Sequence, residues 1–254
     1  MKFKHLLTLS FCIFLISIAS AQKPEKVKIK TEKGINGITN IKYQVLKSNK
    51  KTKHGYYKII NTHYKQLEVS GTYKFGKKEG LWQEWMFSPR SLKSEGYYKN
   101  GKKVGVWEYY DEVRRSLLHT YNHDTNTLNY SSSCGKNYPR DVIINSERVK
   151  REMDCVPDLV GGVTTLMNDI NLTYFLTQKK NEPSESFVAN ISILIKKDGT
   201  IGEIDANGSY LNKRFIAIIK EKTNNPELIW LPGTLNGEKV DSYTSFGIYS
   251  SSYD

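Results

Sequence analysis

The 254-residue chain holds only three cysteines and seven prolines, and both shortages narrow what it does. Cys12 lies in an N-terminal apolar run, which leaves Cys134 and Cys155 beyond it. Two distant cysteines do not make the four-ligand set of a structural zinc site. The prolines form no periodic run, so no stiff, extended spacer is encoded. Past residue 21 no stretch reaches the roughly 20 apolar residues of a membrane-spanning helix. Neither a phosphate-binding glycine loop nor a dinucleotide fingerprint occurs. Asp154 and Asp158 bracket Cys155, yet no histidine or asparagine motif completes a nucleophile set, and Asp158 is expected to cap or precede the next helix. His119 and His123 stand four apart, a ligand spacing on a helix, but they fall in a β-type stretch without a third ligand. No catalytic residue, metal ligand or cofactor site is therefore expected.

Charge is unevenly spread. Of the net +12, nine positive charges belong to residues 22–58, with eleven lysines against Glu25 and Glu32. Two more, Lys2 and Lys4, sit at the N-terminus, so the remainder from Ile59 onward is nearly neutral. A nucleic-acid-binding face would need basic residues spread over a folded domain, and none is implied. The segment 22–54 reads as a basic leader: a solvated stretch, or one that touches anionic lipid headgroups. Within it, VKIK and IKYQVL alternate and are candidates for an added strand.

The first 21 residues carry an export signature. Lys2 and Lys4 precede the apolar run Leu6–Ile18, and Ala19-Ser20-Ala21 is a small-x-small cleavage triplet with Gln22 next. Residues 1–21 are thus expected to be a cleaved signal peptide, placing the chain in the periplasm or cell envelope. An uncleaved anchor is the competing reading, and the shortness of the run speaks against it. In an oxidising compartment Cys134 and Cys155 are candidates for a disulfide; two separate thiols are the alternative, because the sequence does not show whether their Cα atoms approach.

The middle of the chain repeats. GTYKFGKKEGLWQEW from Gly71 returns as GYYKNGKKVGVWEYY from Gly96, an offset of 25 residues. Gly71/Gly96, Tyr73/Tyr98, Gly76/Gly101, Gly80/Gly105 and Trp82/Trp107 recur in register, and worn copies begin at Gly55 and Leu117. Such a period signals an array of small units that bury their faces on one another. Each unit reads as a β-hairpin, with Asn100-Gly101 as a type I′ turn signal and Phe75-Gly76 in the same place one copy earlier. Tyr73, Trp82, Tyr98 and Trp107 are expected to form one aromatic layer. The pattern G-x-Y-x-x-G-K-K-x-G-x-W resembles the bacterial variant of the MORN repeat, over about residues 55–130. That resemblance implies a β-hairpin ribbon and a scaffolding role.

A Ser/Asn/Gly-rich stretch follows, and residues 131–150 read as a linker. From Val156 the pattern sharpens. Pro157 and Gly161-Gly162 precede a helix with Val163, Leu166, Met167 and Ile170 on one face, and LTYFLTQKK suggests a second short helix. Phe187, Ala189, Ile191, Ile193 and Ile195 alternate into an Asp198-Gly199 turn, and Ile201 and Ile204 return. LNKRFIAIIKEK is amphipathic, with Leu211, Phe215, Ile216 and Ile219 on one face. Trp230, Pro232-Gly233, a second turn at Asn236-Gly237, Val240 and a last strand close the chain.

This order, with W-x-P-G-x-x-N-G-x-x-V from Trp230 to Val240, resembles the C-terminal domain of TonB-type energy transducers in the form common in Bacteroidetes-like bacteria, over residues 151–254. The resemblance implies two helices on a small antiparallel sheet whose edge receives a peptide of an outer-membrane protein by strand addition. The final segment Val240–Tyr249 is the edge it points to. Without a Pro-rich spacer or a retained anchor, a released binding protein is expected ahead of an energy transducer; an accessory or inhibitor of an enzyme or toxin is a third reading. The expected fold class is mostly β with an α+β C-terminal domain, a hairpin ribbon followed by helices on a small antiparallel sheet.

Overall fold

The computed structural model describes residues 24–34, 37–86, 91–112, 115–177, 187–209 and 213–250. The expected signal peptide, residues 1–21, lies outside them, as does Leu211. Among the described residues the fold is mostly β with two helices, as the patterning predicts.

Nine strands in chain order form one antiparallel ribbon: β1 (Val27–Lys33), β2 (Thr39–Leu46), β3 (Lys53–Asn61), β4 (Gln66–Lys74), β5 (Lys77–Trp85), β6 (Leu92–Lys99), β7 (Lys102–Tyr110), β8 (Leu117–Asn122) and β9 (Thr127–Ser131). The basic stretch set apart as a leader is therefore part of the ribbon. Val27 to Lys33 pairs residue by residue with Leu46 to Asn40, and Tyr43, Val45 and Leu46 are buried. Lys28, Lys30 and Lys33 sit on the outer strand, where charged side chains suit an edge.

The 25-residue period is visible as repeated bonding. Trp82 Nε1 donates to the Thr72 carbonyl and Trp107 Nε1 to the Tyr97 carbonyl, both at 3.2 Å. Gly76 N–H donates to the Lys53 carbonyl at 2.8 Å, and Gly101 N–H to the Lys78 carbonyl at 2.9 Å. Phe75 (φ 48°) with Gly76 and Asn100 (φ 53°) with Gly101 make the two turns with positive φ that a type I′ hairpin requires. In each full copy three residues of one strand stand opposite a single glycine, Gly80 to Trp82 opposite Gly71 and Gly105 to Trp107 opposite Gly96. A Cβ on Gly71 or Gly96 would fall inside the indole of Trp82 or Trp107. The glycine and the tryptophan of each repeat are one packing unit.

The chain then forms β10 (Cys134–Ile144), β11 (Glu147–Cys155), β12 (Asp158–Leu159), α1 (Val163–Leu176), β13 (Phe187–Ile195), β14 (Ile201–Ser209), α2 (Lys213–Thr223), β15 (Trp230–Leu231), β16 (Gly233–Leu235), β17 (Glu238–Val240) and β18 (Ser242–Ser250). Most of the stretch read as a linker, 131–150, is the β10–β11 hairpin. Asn145 (φ 52°) and Ser146 (φ 67°) supply its turn, and Val142 and Met153 are buried. Cys134 and Cys155 are opposite residues of this hairpin and are joined as a disulfide.

The second sheet runs β14-β13-β18-β10-β11-β16-β17. Ala189, Ile191, Ile193 and Ile195 turn inward from β13, and Phe246 and Ile248 from β18. Helices α1 and α2 cover this face with Leu166, Ile170 and Tyr174 and with Phe215, Ile218 and Ile219. The two short helices expected between Val163 and Lys180 are one through Leu176, because Leu166, Ile170 and Tyr174 continue a single face at four-residue spacing. Asp158 precedes this helix, in β12, and does not cap it; Gly162 occupies the cap position.

Candidate functional site

Strand β18 is held on one side along its whole length by β13, from Ile195↔Ser242 to Phe187↔Ser250. On its other side β10 pairs only at Val142↔Ser242. The expectation that Val240–Tyr249 forms a sheet edge thus needs correcting at its start: Val240 pairs with Gly233, and Ser242 is interior to the sheet. From Thr244 to Tyr249 no described strand pairs with that side.

The backbone geometry says which groups face the open side. Ile143 N–H donates to the Asp241 carbonyl at 2.9 Å. Peptide groups alternate sides along an antiparallel strand, so Tyr243, Ser245, Gly247 and Tyr249 present their N–H and C=O toward the side that β10 leaves. Continuing the register, the residue of β10 opposite Ser245 is Pro139, on the face toward β18. The ladder already ends at Val142↔Ser242, and proline, with no N–H to donate, leaves it no donor to resume on at that level.

The solvent-facing surface beside this edge is small and polar as far as Gly247 and apolar at its end. Ser245 Oγ donates to Ser192 Oγ at 3.2 Å, Gly247 stands opposite Asn190, and Tyr249, 75% exposed, stands opposite the exposed Val188. Where β10 does meet β18, the Arg148 guanidinium stacks 3.9 Å from the Tyr243 ring centre and pairs with Asp141 at 2.7 Å. The Tyr243 hydroxyl donates to Glu203 at 3.2 Å. Burial first, then that bond, raises the Tyr243 pKa, so the phenol stays protonated.

The residues of the Trp230–Val240 motif assemble one corner of this domain. Trp230 is buried, pairs with Leu159, and donates to the Thr223 carbonyl at 3.3 Å. Gly199, in the Asp198-Gly199 turn, sits with its Cα side against the Trp230 carbonyl, where a Cβ would come within 3.1 Å. Gly233 abuts Pro157, and Pro232 precedes it. Asn236 (φ 53°) and Gly237 (φ 80°) turn β16 into β17, and the Gly237 N–H donates to Asp154 at 2.7 Å. Gly161 and Gly162 lie apart from this corner, against Tyr109 and Leu118 of the ribbon.

The aromatic layer of the ribbon is continuous. Ring centres run Tyr57–Trp82 at 5.7 Å, Tyr73–Trp82 at 5.3 Å, Trp82–Tyr98 at 5.6 Å and Tyr98–Trp107 at 5.1 Å. This layer packs partly on Val160, Ile229 and Leu231 of the C-terminal domain. Two features of the contact carried no local sequence signal: fully buried His119, and Tyr109. Lys78 and Lys103 share the 25-residue offset with Lys53 and were detectable on that basis alone. No group of three or more metal-ligating side chains occurs among the described residues. Comparison with known families, curated proteins and solved structures finds no match to this chain.

Proposed function

We propose that the chain is a non-catalytic binding module of the cell envelope that takes an extended segment of a partner protein onto the open edge of β18. The carrying observation is that this edge is bare of the usual protection. Proteins blunt exposed strands with charges, prolines or covering elements. Three other outer strands follow that rule: β1 carries Lys28 and Lys30, β14 carries Glu203 and Asp205, and β17 carries Glu238 and Lys239; β9, five residues long, is uncharged but short. Tyr243 to Tyr249, in contrast, contains neither charge nor proline. An added strand would find backbone donors and acceptors at Ser245, Gly247 and Tyr249, with Tyr249 beside them as an aromatic contact.

The export signature and the resemblance of residues 151–254 to TonB-type C-terminal domains point to an outer-membrane or other envelope protein as the partner. The ribbon would act as the scaffold that positions this edge. Mass spectrometry of the N-terminus of cell-derived protein separates the released module from an energy transducer: a start at Gln22 supports release, and a retained Met1 in the inner membrane overturns it. The edge itself is tested by a photo-crosslinking residue at Tyr249. Crosslinking to one envelope protein in the wild type, lost when Ser245 is replaced by proline, is the expected result. Equal crosslinking in both removes β18 as the docking edge.

A further inference from the structure

A second site lies elsewhere, in the seam between the ribbon and the C-terminal domain. A cavity of about 560 Å³ opens there, lined from the ribbon by Lys78, Tyr98, Lys103, Tyr109 and His123, and from the C-terminal domain chiefly by Glu227 and the apolar Val160, Leu228 and Ile229. Its size falls within the roughly 300–1,000 Å³ of small-molecule sites.

Two of its walls are cations with no carboxylate in contact, although Glu84 and Glu227 act on both from further away. Lys93 pairs with Glu112 and Lys222 with Asp169, but neither Lys78 nor Lys103 has a carboxylate within 4.0 Å among the described residues. Their ammonium groups rest instead on ring faces: Lys78 lies 4.4 Å from the Trp82 centre and 4.7 Å from that of Tyr98, and Lys103 4.3 Å from that of Trp107. Burial lowers the pKa of both. Lys103 donates to the Tyr109 hydroxyl at 3.0 Å, and that hydroxyl and His123 Nε2 share a hydrogen bond, also at 3.0 Å. His123, held neutral by burial with a pKa near 4, adds no charge.

We propose that this cavity binds a hydroxylated ring bearing one carboxylate, a sugar acid of the hexuronic class, with Lys78 and Lys103 holding the carboxylate. The contact geometry selects the anion. Both ammonium groups rest on rings and lack a carboxylate in contact, and one ligand carboxylate would supply it. A phosphate monoester, with about −1.5 to −2 at neutral pH, would bring a second charge up against Glu84 and Glu227. The neutral groups select the rest of the ligand. The Tyr98 ring and the apolar residues offer a stacking surface, while the Tyr98 hydroxyl and the Glu227 carboxylate can bond ring hydroxyls. A plain aromatic acid would use none of those polar partners. The site is independent of the β18 edge and stands or falls separately from it.

The repeat supplies an internal control. Lys53 sits over Tyr57 and Tyr73 at 4.8 and 5.1 Å, one period earlier, but does not line the cavity. Calorimetric titration of the purified chain with a glucuronate-containing disaccharide should show saturable one-to-one binding, absent for the neutral glucose disaccharide. Lys78→Met and Lys103→Met should each weaken it by at least about tenfold, the effect of one charged hydrogen bond, and Lys53→Met should leave it unchanged. Lys78 is the less buried of the two, so K78M carries the test if K103M does not fold. No saturable binding, equal loss in K53M, or tighter binding of benzoate or inorganic phosphate would each overturn the proposal.

Discussion

His119 Nδ1 accepts a hydrogen bond from the Gly161 N–H at 3.2 Å, joining the ribbon to the C-terminal domain across 42 residues of sequence. His119 is fully buried, and its Nε2 approaches Asp158 Oδ2 to 3.4 Å. Gly161 holds φ at +87°, and a Cβ there would come within 3.1 Å of the Tyr109 ring. Replacing His119 with leucine leaves a buried N–H unpaired, which costs about 1–3 kcal/mol. Gly161→Ala adds backbone strain to a tight contact and should cost a similar amount. Urea unfolding of both variants is expected to show a lower midpoint than wild type, with H119L and G161A together losing less than the sum of the two.

The repeat glycines divide into two kinds. A side chain at Gly96 collides with Trp107, whereas Gly80 has open space around its Cβ position and is constrained only by φ +70°. Gly96→Ala must displace a buried indole, at about 1–3 kcal/mol or more. Gly80→Ala costs about 1–2 kcal/mol of backbone strain and should leave tryptophan packing intact. Near-ultraviolet circular dichroism separates the two: loss of the tryptophan signal in G96A and its retention in G80A is the expected pair.

The Cys134–Cys155 disulfide closes the β10–β11 hairpin with a sequence separation of 21. By loop-closure arguments, removing a crosslink of this length costs about 3 kcal/mol. Cys134→Ala with Cys155→Ala should therefore lower the thermal midpoint, and peptide mapping without reductant should recover the two cysteines in one linked fragment. Recovery as free thiols from envelope-derived protein would count against the crosslink.

Stability should also fall with acid through His123. Desolvation first, then the nearby Lys103 charge, lowers its pKa from 6.5 to about 4. The unfolded chain therefore binds this proton more readily between pH 6.5 and 4. This contribution is fully present above about pH 6.5, declines as pH falls, and is exhausted below about pH 4. Because the ring is only half buried, its size is on the order of 1 kcal/mol after screening. His123→Gln should flatten the stability profile in that window alone.

What was legible in the sequence was what repeats locally. The glycines and tryptophans at offset 25 gave the ribbon, and the alternation from Phe187 to Ile195 gave the central strand. The β10–β11 hairpin was not legible, because Pro139 and a Ser/Asn-rich composition mark a loop by local rules. Only its pairing, and the positive φ at Asn145 and Ser146, make it a hairpin. The seam was hidden for another reason. Lys78 and Lys103 meet Glu227 to Ile229 across more than a hundred residues, and nothing local records that contact.

The final prediction concerns that same Pro139. Its missing N–H faces β18 at the level of Ser245, beyond Val142↔Ser242 where the ladder ends, so β10 offers the proposed docking edge no donor there. Pro139→Val restores a donor to a strand already in register, through Val142↔Ser242. Extension of the β10–β18 ladder should then slow amide exchange at Ser245 and Gly247 and stabilise the domain by about 0.5–1.5 kcal/mol per added bond. Partner crosslinking at Tyr249 should fall at the same time, because the chain's own strand now occupies the edge. Ser245→Pro should also abolish crosslinking, but without the gain in protection. If P139V protects Ser245 and Gly247 yet leaves crosslinking intact, the partner binds elsewhere. If neither changes, proline is not what keeps this edge open.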